Sequence, residues 1–141
     1  MLKAFAEASR NEGLTNVETR VLNAENLAID ADSFDPVICR NALMLFPNPA
    51  KALTEMRRVV KPNGKVAAIV MSALEKNPYH GIVYNTAYRI GNIPLPIAGE
   101  PWMYTIGEAE VLENLLQHGG FSGCFSACRF LQQDIFGPLL T

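Results

Sequence analysis

The spacing of apolar positions divides the chain into segments of different period. Leu2, Phe5, Ala6 and Ser9 recur at helical spacing, which predicts a helix over residues 2–12 that Gly13 stops. Val17-Glu18-Thr19-Arg20-Val21 alternates branched or apolar side chains with charged ones, the period of a half-buried strand near a sheet edge. A polar stretch from Asn23 to Asp35 reads as a loop. Val37-Ile38-Cys39 predicts a short apolar strand, with Pro36 tolerable only at its first position because proline cannot donate to a ladder.

The middle of the chain is more strongly patterned. Asn48-Pro49 predicts a helix start, and Ala52, Leu53, Met56, Val59 and Val60 supply the apolar stripe. Lys61-Pro62-Asn63-Gly64 reads as a turn. Val66 to Met71 is uniformly apolar, as in a parallel strand covered on both faces. Residues 78–90 predict a helix interrupted by Gly81, and residues 91–104 a long loop rich in proline and glycine. Thr105-Ile106-Gly107-Glu108 resembles a capping box before a helix with Val111, Leu112, Leu115 and Leu116 on one face, ended by Gly119. Residues 121–131 alternate weakly and predict a last strand. Strands alternating with helices argue for an α/β layer fold with a mostly parallel sheet.

Composition narrows the functional classes. The chain has 141 residues, enough for one domain, and is 49% hydrophobic, enough for a core. A net charge of -2 provides no basic footprint, which argues against nucleic acid or an anionic membrane surface as the main partner. Cys39, Cys124 and Cys128 are an odd set without C-x-x-C spacing, which disfavours both a disulfide framework and a metal site. No apolar run approaches the ~20 residues of a membrane span, and the first residues have no signal-peptide core. A cytoplasmic location is the expectation.

Three stretches go beyond period and composition. Asn23-Ala24-Glu25-Asn26-Leu27 followed by Asp32-Ser33-Phe34-Asp35 resembles the "DAE-x-L … D-x-SFD" stretch of class I S-adenosylmethionine (SAM)-dependent methyltransferases. The run Asn48-Pro49-x-Lys51-Ala52-Leu53-x-Glu55-Met56-x-Arg58-Val59-Val60-Lys61-Pro62-Asn63-Gly64-Lys65 resembles their "P-x-KAL-x-E-x-x-RVLKPGG" segment. Leu115-Leu116-x-x-Gly119-Gly120-Phe121 is similar to their "LL-x-x-AGF" corner. The likeness is to the branch that includes ubiquinone and menaquinone biosynthesis methyltransferases. It implies an incomplete Rossmann-like methyltransferase sheet with helices on both faces. It also implies methyl transfer from SAM to a small-molecule acceptor. A non-catalytic methyltransferase-like module acting in interaction or dimerisation is the alternative.

The resemblance also assigns candidate residues. In the family a side-chain acceptor and the next backbone N–H hold adenine; here Asn23 stands where the family usually has Asp, with Ala24 and Glu25 beside it. Cys39, Arg40 and Asn41 correspond to the point that approaches the donor's methionine part, largely through backbone. Tyr79, His80, Tyr84, Trp102 and Tyr104 fall in the acceptor region, with His80 as a candidate general base. The plainer alternatives are that Asn23 caps a turn, Arg40 makes a surface ion pair, and the aromatic residues cover an apolar sheet face. By this division residues 1–72 are donor-site remnant and core, 73–104 the acceptor or lid region, and 105–141 the C-terminal helix and strand. The family's glycine-rich donor loop and the acidic residue that binds ribose have no counterpart, and no two glycines stand two positions apart. The chain is therefore expected to start about two strands late, to bind SAM weakly or not at all alone, and to be completed by a second copy or a complementing chain.

Overall fold

The computed structural model describes residues 2–94 and 100–123. The elements run α1 (Leu2–Asn11), β1 (Phe34–Arg40), α2 (Pro49–Val59), β2 (Val60–Ile69), α3 (Pro78–Gly91) and α4 (Ala109–His118). Short 3-10 turns at Leu43–Leu45 and Leu74–Lys76 lead into α2 and α3. The strands β1 and β2 pair in parallel, so α2 is the crossover helix of a β-α-β unit.

That unit forms for local reasons visible in the sequence. Asn48 caps α2, its Oδ1 accepting from the Lys51 N–H at 3.0 Å, and Pro49 occupies the first turn, where an N–H has no partner anyway. The stripe Ala52, Leu53, Met56 and Val59 is buried, and the chain passes from Val59 straight into β2. The core joins Cys39, Leu43, Met44, Ala52, Leu53, Met56 and Ile106, with Val37, Val66 and Ala68 packed against it from the sheet. Helix α4 completes the layer through Leu112, Leu115 and Leu116, and Arg57 Nε donates to the Gly120 carbonyl at 2.9 Å.

Several expectations change. Residues 17–21 form no strand; Val21 is 88% exposed. Their period suits a strand, but a strand needs a neighbour, and among the described residues β1 pairs only with β2. The first strand begins at Phe34, three residues earlier than expected, so Pro36 lies inside it, beside a register shift between Phe34 and Pro36. That irregularity accommodates a residue with no N–H to give. Lys61–Gly64 is not a separate turn but the bulged opening of β2, with Asn63 at φ +65°. Gly64 is obligatory there, since a Cβ would stand 2.5 Å from the Asp35 carbonyl oxygen.

Strand β2 ends at Ile69 rather than Met71, and the described residues cover it on one face only. Val66 and Ala68 pack inward, whereas Ile69 is 52% exposed and Ile38, paired with Ala67 on the other strand, 70%. Helix α1 forms as expected and Gly13 ends it at φ +70°, yet Leu2 and Phe5 on its apolar face are exposed. Thr105 does not cap α4; its hydroxyl bonds within the turn 100–105, and Glu108 precedes the helix without a side-chain cap. Residues 121–123 are not strand, and the remainder of the last predicted strand lies outside the described residues, as do Cys124 and Cys128. Among the described residues no helix is long and apolar enough to cross a membrane.

Candidate functional site

In a parallel β-α-β unit the crossover helix begins at the carboxyl end of the first strand, where sites in such sheets form. Arg40 and Asn41 stand there as the last residue of β1 and the first beyond it; both are exposed. Asn41 takes a left-handed conformation at φ +52°, which turns the chain toward α2, and its N–H donates to the Ile69 carbonyl at 2.8 Å. Cys39, just before them, is buried. Burial pushes its thiol pKa up, against a smaller opposing effect of the Leu43 and Ala42 backbone, so it remains a neutral thiol rather than a nucleophile.

The Asn23 segment reaches the same end of the sheet by a different route. Glu25 Oε1 accepts from the Asn48 N–H at 2.8 Å, which ties the segment to the start of α2. The chain then runs along that helix to its other end, where the Ser33 N–H donates to the Val59 carbonyl at 2.8 Å. Asn23–Glu25 and Arg40–Asn41 thus share the carboxyl edge of the sheet. Asn23 Oδ1 already accepts from the Glu25 N–H at 2.9 Å, the turn-capping role weighed as the plainer alternative. A carbonyl oxygen has a second lone pair, so capping the turn leaves one acceptor position.

The acceptor candidates also collect at this edge, beyond β2. The Asn77 side-chain amide donates to Ser72 O, Ser72 Oγ and Ala73 O, binding the start of α3 to the segment that follows β2. Gly107 presses against the same segment: a Cβ would lie 2.7 Å from the Ala73 nitrogen. Between these two attachments His80, Tyr84, Trp102 and Tyr104 meet. Trp102 and Tyr104 are edge-to-face at 4.9 Å between centroids, Tyr84 and Trp102 at 5.5 Å. Tyr104 is buried, and its hydroxyl is hydrogen-bonded to His80 Nδ1. Burial, and secondarily the neighbouring Tyr84, push the Tyr104 phenol pKa up, so it stays protonated near neutral pH. Tyr79 sits at the margin, its ring 5.6 Å from His80 but 74% exposed.

Two residues used in the sequence only as pattern markers prove to hold the segment that follows Asn23. Arg58 and Glu55, one helical turn apart on α2, form an ion pair of 2.8 Å that also grips the backbone at Leu27 and Ile29. The signal was their three-residue spacing, which puts both on one side of a helix.

The residues present fit only part of a SAM molecule. Asn23 and the adjacent backbone suit adenine, and the loop after β1 suits a close backbone approach. No glycine-rich loop accompanies them among the described residues.

The comparisons with known proteins agree with this geometry. The family described as "Methyltransferase domain" matches residues 1–68, which include β1, α2 and nearly all of β2. YafE of Escherichia coli K12, itself uncharacterized, is 32% identical over 82% of this chain and 57% of its own length. The ubiquinone/menaquinone biosynthesis C-methyltransferase UbiE of Proteus mirabilis is 29% identical over 86% of this chain and 52% of its own. The crystal structure of YcgJ from Bacillus subtilis superposes with a TM-score of 0.54 at 18% identity, over 87% of this chain and 58% of that one, a likeness of fold. The chain therefore spans about half the length of the relatives it matches. The matched family model, these relatives and the parallel β-α-β unit together support a class I SAM-dependent methyltransferase domain.

Proposed function

We propose that this chain provides the adenine corner and the acceptor wall of a SAM-dependent methyltransferase acting on a small molecule. One observation supports this above the others: Asn23–Glu25, Arg40–Asn41 and the aromatic cluster all lie at the carboxyl edge of one parallel sheet. When bound, the donor supplies an electrophilic methyl on a sulfonium. Asn23 Oδ1 accepts from the adenine amine, and the backbone at Arg40–Asn41 lines the methionine end. Tyr84, Trp102 and Tyr104 offer ring faces and edges that exclude water from an apolar acceptor. His80, oriented by Tyr104, is the candidate for taking a proton from the acceptor.

The same reading assigns a partner role to the bare sheet face. Among the described residues nothing covers Ile38 and Ile69, and a complementing chain or a second copy is the partner that covers them.

Amide NMR of the chain titrated with SAM tests the donor reading. Shifts should appear at Asn23–Glu25 and Arg40–Asn41, with a dissociation constant nearer 1 mM than 1 µM, about -4 rather than -8 kcal/mol. Asn23→Leu should weaken it further. Shifts confined to other residues, or none at millimolar donor, would overturn the assignment.

A further inference from the structure

The segment from Asn23 to Ser33 pairs with neither strand; its one bridge, Asn23 to Asn26, is internal. It is fastened to α2 instead. Glu25 holds one end at Asn48, and the N–H groups of Asp32 and Ser33 hold the other at the carbonyls of Arg58 and Val59. Between these ends Glu55 and Arg58 make five side-chain hydrogen bonds, three to the backbone of the segment and two to each other. Arg58 Nη1 donates to Ile29 O at 2.8 Å and Nη2 to Leu27 O at 2.9 Å, while Nε donates to Glu55 Oε1 at 2.8 Å. Glu55 Oε2 accepts from the Leu27 N–H at 2.7 Å and from Arg58 Nη2 at 2.8 Å. Both polar groups of Leu27 are therefore claimed by one ion pair. The fork is filled: each guanidinium nitrogen and each carboxylate oxygen has a partner.

We propose that Glu55 and Arg58 are positioning residues for the donor corner, fixing Leu27 and thereby the direction in which Asn23–Glu25 faces the carboxyl edge of the sheet. The inference rests on the donor reading above. Its physical basis is that a planar guanidinium can span two carbonyls and a carboxylate at once, whereas a lysine ammonium at the same site cannot. Leu27 lies only two residues from Glu25, so a shift of its backbone is carried directly into the adenine contact, where a displacement of about 1 Å is enough to lose binding geometry.

Arg58→Lys and Glu55→Gln separate positioning from plain stability. In Arg58→Lys the Leu27 amide should exchange about tenfold faster while the Val66–Ala68 amides of β2 keep their protection. SAM-induced shifts at Asn23–Glu25 should shrink, and those at Arg40–Asn41 should persist. Glu55→Gln retains an acceptor for the Leu27 N–H and should fall between wild type and Arg58→Lys. Unchanged Leu27 exchange in Arg58→Lys would overturn the inference alone, as would faster exchange with an undiminished donor response at Asn23–Glu25. A wild-type chain with no donor response at either segment would instead overturn the donor reading and this inference with it.

Discussion

The β1–α2–β2 unit and the stretch from α1 to Leu22 have comparable apolar patterns and opposite fates. In the first, Leu53 and Leu43 have no exposed surface and Cys39 only 6%. In the second, Phe5 is 54% exposed, Leu14 48% and Val21 88%. The difference does not lie in the periodicities, since α1 is at least as amphipathic to the eye as α2. It lies in what stands opposite. Helix α2 has the sheet on one side and α4 beside it, whereas on the apolar side of α1 Ser9 is buried but Leu2 and Phe5 stay exposed. A pattern states which surface a segment can bury; cover decides whether it does.

The two carboxylate–arginine pairs repeat the contrast. Glu18 and Arg20 are 2.6 Å apart in the uncovered stretch, with side chains 69% and 55% exposed, and they bind only each other. Glu55 and Arg58 are more enclosed and hold three backbone groups besides. An exposed pair of the first sort contributes little because water competes for both charges.

The largest effect that tests this division is a core truncation. Leu53→Ala should cost about 2–5 kcal/mol, a large share of a domain's stability, because Leu53 is fully buried between sheet and α4. Phe5→Ala removes a larger side chain and should change stability by about 0.5 kcal/mol or less. Chemical denaturation of both variants checks the pair. A loss at Phe5 approaching that at Leu53 would show that α1 is covered in solution.

A smaller effect separates the two ion pairs by pH. Arg58, chiefly through its hydrogen bonds to the carboxylate, lowers the Glu55 pKa from 4.5 to about 2. A lowered folded-state pKa means that the pair's contribution is complete above pH 4.5 and is lost as pH falls toward about 2. Acid unfolding of Glu55→Gln should therefore lose part of its pH dependence in that window. Glu18→Gln should leave the acid transition nearly in place, although the Glu18 carboxyl also lies below its ordinary value, through its hydrogen bond to Arg20. Equal responses would mean that the enclosed pair holds the Leu27 backbone no better than the open pair holds anything.

The sequence was legible where cover is local. Asn48, Pro49 and the α2 stripe announced a helix that packs against strands adjacent in the chain, and the helices at Pro78–Gly91 and Ala109–His118 were readable from their own residues. The aromatic candidates could be grouped because Pro/Gly punctuation brought them close in sequence. Residues 17–21 misled because alternation records a strand's faces but not its neighbours. The double cover expected for Val66–Met71 is not met among the described residues for the same reason, since an apolar residue such as Ile69 carries no mark of which partner it awaits. The Glu55–Arg58 grip on Leu27 was out of reach because it joins positions 28–31 residues apart through backbone groups, which have no sequence signature.

The smallest effect is the one that bears on the missing cover. Val21 and Ile38 make few contacts, so Val21→Thr and Ile38→Thr should leave the stability of the dilute chain within about 0.5 kcal/mol of wild type. If a second copy covers the bare face, the result changes with concentration. Binding of the folded chain to itself stabilises it by mass action, and that increment requires Ile38 to be buried against the partner. Wild-type stability should then rise with protein concentration while the Ile38→Thr chain stays flat, and sedimentation should show the wild type passing from 15.5 kDa to twice that mass. Val21→Thr distinguishes the two uncovered regions: it follows Ile38→Thr only if the partner reaches across to the stretch before β1. A wild type that remains a single 15.5 kDa species with concentration-independent stability would leave the face bare, and would assign its completion to a different chain.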